Sequence, residues 1–115
     1  MSKQYSALRE RMETRTLDNG LRICYLPKEG FSKTFAILAA NFGSVDASFT
    51  CEGRRYDTPA GVAHFLEHKM FDTPDGGNAL QTLSSTGASP NAFTSTAITG
   101  YHFECADQFW DNLRT

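Results

Sequence analysis

The chain has 115 residues, of which 40% are hydrophobic and 12% aromatic, so it can form one globular domain with a hydrophobic core. Its net charge of −2 includes no long basic run, which argues against a nucleic-acid partner. The longest apolar run, 35–40, is too short to cross a bilayer, and the charged N-terminus has no apolar segment typical of a secretory signal. We therefore expect neither nucleic acid nor a membrane as partner.

The cysteines bear on the compartment. Cys24, Cys51 and Cys105 are odd in number and form no C-x-x-C pair. This pattern predicts free thiols in a reducing compartment, and hence a cytoplasmic location. Their spacing does not support zinc ligation, and small buried hydrophobic residues are the commoner role for free cysteines.

The N-terminal third predicts one hairpin. Residues 1–16 are expected to form a charged lead-in, helical or irregular, with Leu8 and Met12 one helical turn apart. Asp18-Asn19-Gly20 predicts a tight turn between strands 15–17 and 21–26, because Asn and Gly tolerate a positive φ. Pro27 should end the second strand.

An apolar segment and a polar one follow. The nearly continuous hydrophobicity of 34–42 predicts a central strand covered on both faces, although a buried helix has the same pattern. Residues 46–57 are expected to be a polar connector. Its Arg54-Arg55 pair fits a solvated loop better than a basic binding patch.

The segment 58–71 predicts a helix. Thr58 suits the N-cap and Pro59 the first turn, where a missing N–H costs nothing. In a helix, His64, Glu67 and His68 share one face, since residues three and four apart are neighbours. The apolar residues expected to face the core are Val62, Phe65, Leu66 and Met70.

This polar face has the chemistry of a catalytic zinc site. Neutral imidazoles one turn apart can both bind Zn²⁺, and a catalytic zinc takes three protein ligands plus a water. A carboxylate beside that water can take its proton. His64-x-x-Glu67-His68 matches the inverted H-x-x-E-H metalloprotease motif. The alternative is a surface helix with two solvated histidines and a glutamate.

The next elements predict a helix and an edge strand. Turn-forming residues at 72–77 should end the first helix, and Asn78–Thr86 predicts a second one with Gly87 at C′. Residues 88–96 are expected to be extended. Pro90 favours a sheet edge, because proline cannot donate to a ladder, and such an edge can accept an extended peptide.

The C-terminal segment predicts a strand at 98–105 and a helix at 108–115 capped by Asp107. In the strand, Tyr101 and Phe103 lie opposite His102 and Glu104, and His102 is expected to pack or meet solvent rather than bind metal. The helix has an apolar stripe and no C-cap. We therefore expect the chain to be part of a longer protein, or this end to be covered by a partner.

Several segments together resemble the M16, or pitrilysin-type, metallopeptidases, which include insulin-degrading enzyme and the mitochondrial processing peptidase. The segments are Asp18-Asn19-Gly20-Leu21, Asn41-Phe42-Gly43-Ser44, Gly61-Val62-Ala63 with His64-Phe65-Leu66-Glu67-His68, Gly87-Ala88-Ser89, and Asn91-Ala92-Phe93-Thr94. Lys69 and Phe31-Ser32-Lys33-Thr34 are most similar to a bacterial zinc-protease branch. The resemblance covers about residue 17 to the end, in the family's order.

The resemblance implies an α+β fold, with an antiparallel-rich mixed sheet and helices packed on it. It implies that 17–115 is the N-terminal part of an incomplete peptidase domain. His64 and His68 would be zinc ligands, and Glu67 the base that activates water for attack on a peptide carbonyl. The substrate, a peptide or unfolded polypeptide, would lie along Asn91, Ala92, Phe93 and Thr94.

One departure limits this expectation. The family completes its zinc site with a glutamate on a later helix, which would lie beyond Thr115, and closes a chamber with further domains. Neither Glu104 nor Asp107 stands in a matching context. The chain alone is therefore expected to bind zinc poorly and to be inactive. The alternative is a non-catalytic subunit that binds peptides or a partner. The expected partners are the remaining domains of a longer protein or a homologous subunit, and the unfinished last helix and exposed sheet edge favour a homo-oligomer.

Overall fold

A computed structural model describes all 115 residues. The chain divides into two compact units, residues 1–32 and residues 33–115. No helix in either unit is both long enough and apolar enough to traverse a lipid bilayer.

The first unit is a three-stranded antiparallel sheet. Strands β1 (Ser2–Tyr5), β2 (Glu10–Thr16) and β3 (Arg22–Tyr25) lie in the order β1-β2-β3, and a short 3-10 helix (Ser6–Leu8) joins the first two. The prediction of a helical or irregular lead-in is therefore wrong. In β2, half-buried Met12 and Thr14 alternate with exposed neighbours, which is the period of a strand rather than of a helix.

The predicted hairpin at Asp18-Asn19-Gly20 is confirmed. Strands β2 and β3 pair antiparallel across this turn. Gly20 has a φ of 87°, and the Leu17 N–H donates to the Leu21 carbonyl at 2.9 Å. The turn residues were recognisable because the left-handed conformation strongly favours glycine.

The second unit combines strands and helices. In chain order its elements are β4 (Thr34–Ala40), β5 (Ser48–Cys51), β6 (Arg54–Asp57), α1 (Val62–Lys69), α2 (Ala79–Ser85), β7 (Ser89–Thr94), β8 (Thr99–Cys105) and α3 (Phe109–Arg114). Three strands form a sheet in the order β4-β8-β7, and β5 pairs with β6 in a separate hairpin. Every strand pair is antiparallel. The predicted α+β class with antiparallel-rich sheets is confirmed.

The predicted position of 34–42 in the sheet is wrong. The segment forms strand β4 and not a helix, but β4 is an edge strand and β8 is central. Phe35, Ile37 and Leu38 on β4 are exposed. Continuous hydrophobicity indicated burial, yet strand order depends on non-local pairing that hydrophobicity does not report.

The predicted connector at 46–57 is also wrong, because it contains the β5–β6 hairpin. Glu52 and Gly53 both have positive φ, 50° and 76°, as the central residues of a type I′ turn require. Phe49 and Tyr56 stack across the hairpin with ring centroids 5.5 Å apart. The sequence signal for this hairpin is the two-residue turn Glu52-Gly53 between two short strands.

The core of the second unit lies between the sheet and the helices. Its buried residues are Leu83, Ala88, Phe103 and Cys105, with Ala36 and Phe109 packed against them. The predicted second helix is confirmed as α2. The Asn78 side chain caps it by accepting a hydrogen bond from the Leu80 N–H at 2.9 Å, and Gly87 follows its end with a φ of 78°.

Helix α3 differs from its prediction at both its cap and its buried face. Gln108, not Asp107, occupies the N-cap position. Phe109 packs on Phe103 with ring centroids 5.8 Å apart, but Trp110 is exposed. The buried residue of the helix is Asn112, whose side chain bonds to Thr86, so the helix does not bury a full apolar stripe.

Candidate metal centre

Helix α1, which carries the H-x-x-E-H motif, begins later than predicted. Its N-cap is Gly61, and the first intrahelical bond runs from the Phe65 N–H to the Gly61 carbonyl at 2.9 Å. Thr58 does not cap the helix. Its backbone N–H and its hydroxyl both donate to the Ala47 carbonyl, at 2.7 and 3.1 Å. Thr58 therefore closes the base of the preceding hairpin instead.

The buried face of α1 is not the predicted apolar one. Ala63 and Glu67, one turn apart, are buried, and α1 packs against β7 and β8. Phe65 and Met70 are 63% and 66% exposed. One oxygen of the buried Glu67 carboxylate accepts a hydrogen bond, described below.

The two histidines of the motif converge. The His64 and His68 Nε2 atoms lie 3.1 Å apart, and both side chains are exposed. Two nitrogens bound to one tetrahedral Zn²⁺ at 2.0–2.1 Å would lie about 3.3 Å apart. The separation of the two Nε2 atoms is therefore close to that of two nitrogens on one zinc ion.

Glu67 makes a different contact. The Thr94 hydroxyl donates to the Glu67 Oε2 atom at 2.6 Å, and Glu67 is only 8% exposed. No group of three His, Cys, Asp or Glu side chains in the chain is arranged to hold a metal ion. The structure thus brings the two histidines together as a pair. It holds the Glu67 carboxylate against Thr94, the last residue of strand β7. The sequence did not indicate this contact, because it joins residues 27 positions apart.

Tyr101 on β8 lies beside this site. Its ring packs edge-on against Phe71, with centroids 5.7 Å apart. Burial raises the pKa of the Tyr101 phenol, and the negative charge of Glu67 raises it further. Both effects disfavour the phenolate, so the phenol stays protonated near neutral pH.

Glu67→Gln is expected to lower the Tyr101 pKa in the metal-free protein while leaving it above its usual value of about 10, because burial remains. An NMR titration of the tyrosine Cζ resonances measures this. The Tyr101 pKa is higher in the folded than in the unfolded protein. The contribution of Tyr101 to the free energy of unfolding is therefore fully present below the unfolded pKa and is lost as pH rises through the folded pKa. A Tyr101 pKa equal in both proteins would contradict the predicted charge effect.

The strand predicted to bind substrate lies at an edge. Strand β7 pairs only with β8, as predicted from Pro90. Along β7, alternate side chains face opposite sides, so Asn91 and Phe93 share one face while Ala92 and Thr94 share the face that carries α1. Thr94 is therefore directed at the H-x-x-E-H helix.

The remaining candidate ligands lie apart from this pair. His102 is half-buried on the other face of the sheet, between the rings of Phe35 and Phe93 at 5.3 and 6.4 Å. This agrees with the prediction that His102 packs. All three cysteines are free, and Cys105 belongs to the core.

Comparison with known proteins decides the family. The model of the insulinase family, peptidase family M16, matches residues 47–113, which include the helix with both histidines. The chain belongs to peptidase family M16. This confirms the family suggested by the sequence segments.

M16 relatives resemble the chain in sequence and in structure. "Uncharacterized zinc protease YmfH" of Bacillus subtilis is 41% identical over 97% of this chain and 26% of its own length. The crystal structure of a "putative M16-like peptidase" from Alicyclobacillus acidocaldarius superposes with a TM-score of 0.82 at 34% identity, over 90% of this chain and 24% of that one. A protease from Helicobacter pylori superposes at 0.67 with 26% identity, over 84% and 22%. The chain spans about a quarter of the length of each relative.

Proposed function

We propose that the chain is the N-terminal part of a zinc-dependent metalloendopeptidase, called here the parent protein. The observation that carries the proposal is the convergence of the His64 and His68 Nε2 atoms at 3.1 Å, in a chain of peptidase family M16. The zinc-protease name of a 41% identical relative supports the choice of metal. Residues 17–115 would then be a truncated part of the peptidase domain.

The proposed mechanism divides the work among three residues. His64 and His68 would hold Zn²⁺ through their Nε2 atoms. When bound, the ion would act as a Lewis acid toward water and the substrate carbonyl. Glu67 takes the proton from the attacking water, as a general base, and can return it to the leaving amine. A glutamate supplied from beyond Thr115 would complete the ligand set.

The edge strand supplies the proposed substrate site. A peptide or unfolded polypeptide would add to β7 along Asn91, Ala92, Phe93 and Thr94, because an unpaired edge offers backbone donors and acceptors. The position of β7 supports this role, since the strand ends at the residue that contacts Glu67. An extended peptide on this edge would pass close to the H-x-x-E-H helix.

The proposed partners follow from the length of the relatives. Further domains of the parent protein, or a homologous subunit, would close the site, and self-association through the β7 edge is a second way to cover it. Neither nucleic acid nor a membrane is proposed as a partner. The three free cysteines support a reducing, cytoplasmic location.

The same open edge favours one other function, a non-catalytic M16 subunit that only binds peptides or a partner. A direct test uses the purified parent protein. Elemental analysis should find zinc, peptide hydrolysis should disappear on chelation, and added Zn²⁺ should restore it. Peptide binding without hydrolysis, at full zinc occupancy, would support the non-catalytic function instead.

A further inference from the structure

The hydrogen bond between Thr94 and Glu67 joins a strand to a helix. Thr94 is the last residue of β7, and Glu67 lies in the last turn of α1. The Thr94 Oγ1 donates to Glu67 Oε2 at 2.6 Å, and this is the one hydrogen bond that either carboxylate oxygen makes. The Oε1 atom is therefore left without a partner in the chain.

The donor is held more rigidly than a surface hydroxyl. The Thr94 backbone pairs with Thr99 in the β7–β8 ladder. Just beyond it, the Ser95 N–H donates to the Ile98 carbonyl at 2.8 Å, and the Ser44 N–H donates to the Ser95 carbonyl at 2.9 Å. A β-branched side chain also has restricted χ1 freedom. The hydroxyl thus occupies a defined position relative to the sheet.

We propose that Thr94 is a positioning residue that fixes the orientation of the Glu67 carboxylate. This inference rests on the proposed function, in which Glu67 is the general base. By occupying Oε2, Thr94 leaves Oε1 as the oxygen that accepts the proton. It also stops the glutamate side chain from turning away from the site, because the buried carboxylate would otherwise lose its hydrogen-bond donor.

This role differs from the contribution to substrate binding expected of the whole 91–94 segment. Asn91 and Phe93 lie on the opposite face of the sheet from Thr94. The Thr94 hydroxyl is already engaged by Glu67, so it is not free to bind a substrate side chain. Loss of this hydroxyl should therefore change the chemical step rather than substrate affinity.

Two variants test the proposal. Thr94→Val removes the hydroxyl at nearly constant shape, and Thr94→Ser retains it. Thr99→Val is the matched control. Thr99 is the cross-strand neighbour of Thr94, and its hydroxyl donates to the Phe42 carbonyl at 2.8 Å, away from Glu67. Thr94→Ala serves as a second variant without the hydroxyl if Thr94→Val does not fold.

In the parent protein, we expect Thr94→Val to lower kcat about ten- to hundredfold with KM and zinc affinity unchanged, since small misplacements of a catalytic group cost rate in this range. Thr94→Ser should recover a kcat close to that of the wild type, and Thr99→Val should keep it. A crystal structure of metal-free Thr94→Val should show the Glu67 carboxylate displaced, which tests the contact independently of activity.

Three results would overturn the role of Thr94 without touching the proposed function. The first two are a wild-type kcat in Thr94→Val and an increase in KM without a decrease in kcat. An equal decrease in Thr99→Val would also overturn it, because general packing would then explain the effect. A wild-type parent protein that binds zinc but does not hydrolyse peptides overturns the proposed function, and the positioning role with it.

Discussion

Glu67→Gln in the parent protein is expected to lower kcat by about 10²- to 10⁴-fold while zinc remains bound. Glutamine keeps the shape and can still accept a hydrogen bond from the Thr94 hydroxyl, but it cannot take a proton from water. The two histidines are untouched, so the metal content should equal that of the wild type. Peptide-hydrolysis kinetics and elemental analysis on the same preparation measure both quantities.

Glu104→Gln is the matched control for this substitution. Glu104 is also on the second unit, but it lies on the opposite face of the sheet from Thr94 and forms an ion pair with Lys33 at 2.6 Å. Its loss should leave kcat unchanged. If Glu67→Gln retained the wild-type kcat, Glu67 would not be the base and the proposed mechanism would be wrong.

Local signals in the sequence predicted the elements whose ends are determined by neighbouring residues. Asp18-Asn19-Gly20 predicted its hairpin because positive φ is a property of the turn residues themselves. Asn78 and Gly87 predicted the two ends of α2, because helix caps interact only with the adjacent backbone. Such features do not depend on how the rest of the chain packs.

Features set by docking were not predictable in this way. Strand β4 is more continuously apolar than β8, which contains His102 and Glu104, and nothing local shows that β8 is the central strand. On α1, the hydrophobic residues suggested the buried face, yet the helix docks through Ala63 and Glu67. Burial of Glu67 is tolerated because Thr94, on a distant strand, donates a hydrogen bond to one of its carboxylate oxygens, and no sequence pattern reports that contact.

The candidate site contains one feature that local spacing predicted and one that depends on docking. Helical spacing alone placed His64 and His68 on one face, and their Nε2 atoms do lie close together. The same spacing put Glu67 on that face but could not indicate which oxygen would be engaged, or by which residue. The position of β7 beside α1 supplies this information, because it brings Thr94 to the carboxylate.

The isolated 115-residue chain is expected to bind Zn²⁺ at least roughly a hundredfold more weakly than the parent protein, and to hydrolyse no peptide. Loss of a residue that only orients a metal ligand costs about 10- to 100-fold in metal affinity, and under the proposed function this chain would lack a direct ligand. The imidazole pair can hold an ion at two points, but no third His, Cys, Asp or Glu joins it. Titration against a competing chelator measures the affinity of both proteins.

The weak binding that remains should depend on the histidine pair, and this makes the prediction specific. His64→Ala in the isolated chain should abolish it, because a single imidazole lacks the chelate geometry of two Nε2 atoms 3.1 Å apart. His102→Ala should leave it unchanged, since His102 packs between Phe35 and Phe93 on the other face of the sheet.

Tight zinc binding by the isolated chain, or hydrolysis that requires Glu67, would show that no ligand from beyond Thr115 is needed. The third ligand would then have to come from within the chain or from a second copy of it, and the dependence of affinity on protein concentration distinguishes these two sources.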